Sequence, residues 1–463
     1  MSAATRRPPA PPKPRLLVLT PQAPNPTQQG AAIRNWNLLV HLARSYAIDV
    51  LSFGNPGDGS RSRSRAAQPG EPWHRLITVP PPRRSAMRRL GVLALSAQPD
   101  MADRLWSPLY VAQLAELLRR ETYAAIQGEG IEMARYLHLI ARHRPASGGP
   151  LLVFDDHNAE YVLQQRAARN DLRRAASAPA GVYSVIQWRR LRRFEARTMA
   201  LCDLTLCVSE TDAAALQAIA PDRPLIVAPN GVDVVYYSPE GLPRQRPHFD
   251  VIFSGTMDYR PNMDAVNWLV AEVWPLVQRA EDPGRARPVR LALIGRNPPT
   301  EITALVRHPG VTVTGSVADD RPYFAGTTVY VVPMRYGGGI RLKLLNALAM
   351  GCATVSTTAG IEGVGVRHEE HLLIADTAEE FAAAIGRLLN DGALRARLGA
   401  AGGAFVRAQF DWATIGARVV VGYGAAATLR TAASGVPLAA PATPAAPSQA
   451  APLAPAETLD RQP

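Results

Sequence analysis

The chain has 463 residues, room for two or three domains at about 150 residues each. Hydrophobic residues make up 47% and charged residues 19%, which excludes a disordered or fibrous chain and leaves material for sizeable cores. Lys and Arg number 51 against 39 Asp and Glu, a net charge of +12; that balance points to anionic partners, whether nucleic acid, phosphate-bearing substrates or an acidic membrane face.

Residues 1–14 read as a disordered tail, with Arg6 and Arg7 followed by the Pro-rich Pro8–Pro14 instead of the apolar core of a signal peptide. Short apolar runs then alternate with longer helical patterns. The first series is Leu16–Thr20, Ile48–Phe53, Leu76–Val79, Tyr123–Gln127, Leu151–Asp155, Leu204–Val208 and Leu225–Ala228. The second is Val251–Gly255, Leu291–Gly295, Val311–Gly315, Val329–Pro333, Thr354–Thr357 and Leu372–Ala375. Continuous Val/Leu/Ile runs between amphipathic stretches are what parallel sheets covered on both faces require. Two such series predict two doubly wound, Rossmann-like α/β domains facing a central cleft.

Two stretches interrupt the pattern. Residues 54–72 read as a polar loop. Residues 83–96 place Arg83, Arg84, Arg88 and Arg89 before a short apolar segment, either an interfacial helix on an anionic bilayer or a solvated basic helix start. The longest apolar stretches, around Leu90–Ala97 and Val419–Leu429, fall well short of the roughly 18 residues of a membrane span. Cys202, Cys207 and Cys352 form no CxxC pair, which argues against a disulfide framework or a zinc site and for a reduced, cytoplasmic location. The boundaries that follow are 15–238 for an N-terminal domain, 239–248 for a Pro-rich hinge, 249–405 for a C-terminal domain and 406–431 for a terminal helix. An Ala/Pro-rich disordered tail covers 432–463.

The most informative segment is Tyr336–Ile361. A strand leads into Gly337, Gly338 and Gly339, a helix follows from about Ile340 to Met350, and Gly351 stops it. Ile340, Leu344, Leu345 and Leu348 share its core-facing side. Glycines at a helix N-terminus let an anion approach free N–H groups, and the helix dipole favours negative charge there. Arg341 and Lys343 in the first turn oppose that dipole unless an anion such as a diphosphate is bound; the alternative is a flexible turn with two solvated cations.

This segment resembles the donor-binding helix of the retaining, family 4 glycosyltransferases of GT-B fold, in their triple-glycine variant. Other segments agree in order: Pro24, Gly30, Arg34 and Asn35 near the first strand; Phe154-Asp155-Asp156-His157-Asn158; Val208-Ser209-Glu210 with Asp212; Pro229-Asn230-Gly231-Val232-Asp233; Ser254 through Asp258 with Pro261, Asn262 and Asp264; and Phe410-Asp411-Trp412. The resemblance covers about residues 15–430. It implies metal-independent transfer of a sugar, with retention, from a nucleotide-diphospho-sugar to a glycan or lipid-linked acceptor, without a cofactor. The first domain would hold the acceptor, the second the donor, and residues 406–431 would form a crossover helix.

On the resemblance, Arg341 and Lys343 neutralise the leaving diphosphate, aided by the N–H groups of Gly338 and Gly339. His157 reaches the donor sugar or the acceptor hydroxyl, or is satisfied locally by Asp155 or Asp156. Gly30, Asp258, Asn262, Asn346 and Glu362 would lie on the donor; Arg34 and Asn158 would lie on the acceptor, with capping of its own surroundings open for Arg34. The family's paired glutamates are missing: Gly338 and Asn346 stand at those positions. A neutral Asn346 accepts a weaker hydrogen bond than a carboxylate does. The expected role is surface polysaccharide or glycolipid synthesis in the cytoplasm, at the inner membrane face, with an anionic membrane surface as a partner. The alternative is a GT-B protein that binds a nucleotide or a partner with weak or no transferase activity. Nucleic acid is not expected, since helix-turn-helix spacing, zinc ligands and aromatic-interleaved basic strands are absent. An epimerase on the same fold would need acid–base groups that are not evident.

Overall fold

Runs rich in Leu, Val and Ile have no polar side to turn to water, and in a computed structural model of the chain they form the interiors of two sheets. The structure describes residues 12–24, 31–54, 62–83, 96–145, 147–173, 178–243, 246–280, 287–337 and 339–434. The expected tails (1–14 and 432–463, except 12–14 and 432–434), Gly30, Gly338 and most of the basic stretch 83–96 lie outside these residues. The chain divides into two compact units.

In unit 1 the strands are β1 (Arg15–Thr20), β2 (Ala47–Phe53), β3 (Arg63–Ala66), β4 (Arg75–Val79), β5 (Ala125–Glu129), β6 (Leu151–Asp155), β7 (Leu204–Cys207) and β8 (Leu225–Val227). Their order is 3-4-2-1-5-6-7-8. Every pairing is parallel except β3 with β4. The strand β3 corrects the reading of 54–72 as a loop: Arg-Ser-Arg-Ala is exposed along its whole length. Such an edge strand has no buried face and so leaves no hydrophobic alternation to read.

In unit 2 the strands are β9 (Phe249–Ser254), β10 (Leu291–Ile294), β11 (Val311–Gly315), β12 (Thr327–Val332), β13 (Thr354–Ser356) and β14 (Leu373–Ile374). They lie in the order 11-10-9-12-13-14, all parallel. The helices that position the sites are α1 (Ala31–Leu42), α2 (Ile131–His143), α3 (Glu160–Arg173), α4 (Ala178–Leu201), α5 (Arg260–Trp268), α6 (Leu342–Ala349), α7 (Gly392–Phe410) and α8 (Trp412–Ser434).

The chain passes into unit 2 after Pro229, ahead of the Pro-rich stretch 239–248 expected as a hinge. The reason is Val232, which is buried in the core of unit 2 and donates its N–H to the Phe410 carbonyl at 2.8 Å. Proline content marks where regular structure stops, not where contacts end. The chain returns to unit 1 at Ile415. The helix expected over 406–431 is in fact two: Asp411 adopts an extended conformation between α7 and α8.

The second of these, α8, packs closely on unit 1. A Cβ on Gly416 would stand 2.3 Å from the ring of His41, and one on Gly422 would stand 1.9 Å from Ile226. Tyr423 is fully buried and its hydroxyl hydrogen-bonds the Gln127 side chain. Arg418 donates to the Val227 carbonyl at 3.0 Å, and Arg430 pairs with Asp203 at 3.1 Å.

Candidate donor and acceptor sites

In a doubly wound sheet, ligands bind beyond the carboxyl ends of the strands, where the strand order reverses. In unit 2 that point lies between β9 and β12. Beyond β9 come Gly255 and Thr256, and then α5 with Asn262 buried in its first turn. Beyond β12 the chain runs through Gly337 and Gly339 to α6. That helix begins at Leu342, so Arg341 is its N-cap, with an extended backbone, and only Lys343 lies in the first turn. Leu344, Leu345 and Leu348 are buried as their spacing predicts. Gly351, at φ +73°, ends the helix: its N–H reaches the Leu348 carbonyl and that of Cys352 reaches Ala347, a Schellman arrangement.

Three groups converge on the Lys343 ammonium. The Asn262 side-chain oxygen accepts from Nζ at 2.7 Å, while the Asn262 amide donates to the Thr256 carbonyl at 2.8 Å. The Phe253 ring centroid lies 4.2 Å from Nζ, a cation–π contact. The third is an absence of bulk: a Cβ on Gly255 would stand 2.6 Å from Nζ. Burial, helped by the nearby Arg341 charge, lowers the Lys343 pKa to about 7. Burial also lowers that of Arg341, with exposed Glu362 opposing the shift. Arg341 packs against the turn itself: Gly337, at φ +125°, lies so close that a Cβ would stand 2.9 Å from the guanidinium.

Asn262, Arg341, Lys343 and Glu362 are therefore brought together. Asn346 is half-buried on α6, three residues beyond Lys343, and Gly339 is exposed at φ +75°. Asp258 stands apart, exposed and accepting from Asn297 at 3.2 Å. Phe253 and Gly255 are the residues sequence reasoning missed. The Ser254-Gly255-Thr256 segment was visible, but nothing in it says that an ammonium from α6 will lie there.

In unit 1 the order reverses between β1 and β5. Arg34, on α1, is 1% exposed. Its guanidinium bonds Asp155 at 2.9 Å, the Ala228 carbonyl at 2.5 Å and the Pro229 carbonyl at 3.3 Å. It thus ties α1 to the end of β6 and to the segment after β8. Glu129, at the end of β5, is fully buried, and burial together with Asp155 pushes its carboxyl well above the usual range. Its position between Gly128 and Gly130 at a strand end was the signal that reading passed over.

His157 follows β6. Burial lowers its pKa, with Asp155 opposing, so the ring is neutral at pH 7. Its Nε2 is buried and has no hydrogen-bond partner among the described residues. Asn158 bonds the Glu160 carboxyl, which burial and the charge of Glu132 raise to about 7. Glu195, from α4, caps α3 by accepting the N–H groups of Glu160 at 2.8 Å and Tyr161 at 2.9 Å. Asp156 lies fully buried beside Glu195, and both burial and that negative charge push its carboxyl well up. Two N–H donors and a helix N-terminus favour the ionised form of Glu195, so the proton of this pair belongs on Asp156. No cluster of three or more His, Cys, Asp or Glu among the described residues is arranged to hold a metal ion. No described helix is long and apolar enough to cross a membrane.

Both halves match known families. Residues 28–236 match the Glycosyltransferase Family 4 model, and residues 248–391 match that of Glycosyl transferases group 1. An uncharacterized 44.6 kDa protein in the cps region of Klebsiella pneumoniae is 28% identical over 141 residues, 29% of this chain and 35% of that one. A GDP-mannose-dependent alpha-(1-6)-phosphatidylinositol monomannoside mannosyltransferase of Mycobacterium tuberculosis is 27% identical over 239 residues, 47% of this chain and 60% of its own length. The chain thus spans about a third and three fifths of these curated relatives. Sucrose-phosphate synthase of Thermosynechococcus elongatus superposes with a TM-score of 0.59 at 19% identity, covering 88% of this chain and 97% of that one. That likeness fixes the fold as GT-B. With a Glycosyltransferase Family 4 match in its first half, a Glycosyl transferases group 1 match in its second and cations gathered at the switch point there, the chain is a glycosyltransferase of GT-B fold.

Proposed function

We propose that the protein transfers a sugar from a nucleotide-diphospho-sugar to a glycan or lipid-linked acceptor with retention, without a metal or cofactor. The observation that carries this reading is the Lys343 ammonium, held by Asn262 and Phe253 beside Arg341. A Lys343 ammonium held where burial and a neighbouring cation disfavour its charge is stabilised by a bound anion. When the bond between the anomeric carbon and the phosphate oxygen breaks, negative charge develops on the leaving diphosphate. Preorganised donors there contribute about 3 kcal/mol each to the transition state. The acceptor oxygen bonds to the same face of the anomeric carbon, and its proton passes to the departing phosphate, so no protein nucleophile is required. Gly339, with Gly338, would lend backbone N–H groups. Asn346 and Glu362 would lie on the nucleotide, with Asp258 further out; on the resemblance alone, Gly30 would also contact the donor.

In this reading neutral His157 offers its unpartnered Nε2 to a sugar or acceptor hydroxyl, and Asn158 stands beside it. Arg34 acts from the interior, orienting the end of β6 that carries His157. Surface polysaccharide or glycolipid synthesis at the cytoplasmic face of a membrane fits the cps-region relative, the lipid acceptor named for the mycobacterial relative and the +12 charge. The non-catalytic alternative is not favoured by the transferase families matched in both halves.

Calorimetric titration with UDP and GDP, with and without divalent metal, tests the donor site. Metal-independent binding of one nucleotide that disappears in Arg341→Ala/Lys343→Ala is expected. Absence of binding by the folded chain would overturn the reading. Asn346→Glu would then show, by gained or unchanged binding, whether the missing carboxylate is the cause.

A further inference from the structure

Helix α4 carries five arginines and a single carboxylate, Glu195, within its 24 residues. Glu195 and Leu191 are buried. Arg190, Arg193 and Arg197, spaced i, i+3 and i+7, fall on another face. Together with Phe194, Ala97 and Gln98 they line a cavity of about 270 Å³. Like charges at i, i+3 and i, i+4 destabilise a helix, and neither Arg193 nor Arg197 has a carboxylate partner among the described residues. Phe194 forms an apolar wall, fixed from behind by the His138 ring at 4.8 Å. The Gln98 side-chain oxygen is buried without a hydrogen-bond partner. Because the two ends of a side-chain amide are interchangeable by rotation, Gln98 can offer an N–H to the same space. The backbone that carries Gln98 is anchored to α4, since the Asp100 N–H donates to Gln187 at 2.8 Å.

We propose that this cavity binds a phosphate or diphosphate ester, with the guanidinium forks on its oxygens and the apolar wall against the group that bears it. The site is built from residues of unit 1 and shares none with the Arg341 and Lys343 site of unit 2. It stands whether or not the donor site is active.

Pyrophosphate is titrated into full-length Arg341→Ala/Lys343→Ala protein, so that the donor residues do not contribute. Adding Arg193→Gln/Arg197→Gln is expected to weaken binding at least about tenfold. Arg189→Gln/Arg192→Gln, on the same helix but outside the cavity, leaves affinity within about twofold. Gln98→Leu, which removes no charge, weakens binding about fivefold and serves as the second probe where the double arginine variant does not fold. Equal losses in the two arginine pairs, or no pyrophosphate binding at low salt, would overturn the site. Vesicles of phosphatidylcholine with and without phosphatidylglycerol identify the source. Cosedimentation that needs the anionic lipid and Arg193/Arg197 assigns a lipid headgroup; pyrophosphate binding without it assigns a soluble ester.

Discussion

The switch point of the six-stranded sheet gathers cations, whereas that of the eight-stranded sheet gathers carboxyl groups. Around Lys343 the buried charge has been made available: a neutral amide, a ring face and a glycine surround it, and none of these cancels its charge. Around Asp155 and Glu195 the buried charge is consumed internally, by Arg34 on one side and by the N–H groups of α3 on the other. The difference teaches that burial alone does not identify a ligand site. What separates the two is whether the partners of the buried group belong to the protein's own architecture.

The comparison breaks most severely if Arg34 is not structural. Removing one partner of a buried ion pair costs about 3–5 kcal/mol. Arg34→Ala should lower the free energy of unfolding, read from urea titration, by that amount; a variant of unchanged stability with weakened acceptor affinity would return Arg34 to the acceptor.

A second test uses pH. The Asp156 carboxyl titrates higher folded than unfolded. Above the unfolded value near 4, the unfolded chain has lost a proton that the native state retains, so stability falls as pH rises toward the folded value. Asp156→Asn removes this slope, so its stability relative to the parent should rise from pH 4 to pH 8, read from urea unfolding at the two values. Lys343 runs the other way. Its folded pKa is depressed, so the unfolded chain binds the extra proton between pH 7 and 10.5 and stability rises with pH across that window. A bound diphosphate restores the charge, so nucleotide binding at pH 8 should take up nearly one proton, read from calorimetry in buffers of different ionisation enthalpy.

The mildest change is Gly255→Ala. The added methyl meets the movable ends of Lys343 and Asn262, so the unfolding midpoint should hardly move while nucleotide affinity falls about tenfold, roughly 1.4 kcal/mol. A loss of folding instead would mean that the ammonium is fixed by the core and not merely lodged against it.

Much of this was readable from the residues in order. The strands were, because parallel strands buried on both faces leave continuous apolar runs. The α6 segment was too, because glycine, cation and helix spacing lie within one stretch of chain. What could not be read depends on approach across the fold. Phe253 is an ordinary strand residue until Lys343 is laid over it from 90 positions away. Arg34 looks like a surface cation until Asp155 and the Ala228 carbonyl enclose it. Glu195 sits among arginines on α4, and only the start of α3 reveals its use. The edge strand β3 was missed because it buries nothing.

The return of α8 to unit 1 also bears on how the protein comes off the ribosome. Among the described residues unit 2 is one continuous stretch, 230–414, whereas unit 1 needs the segment after Ile415 to complete it. Chains emerge N-terminus first, so the strands of unit 1 are made early but wait for Tyr423, Arg418 and Arg430 to reach Gln127, Val227 and Asp203. The later half can therefore reach its native state first, and a nascent chain halted before α8 leaves unit 1 open to chaperone or protease.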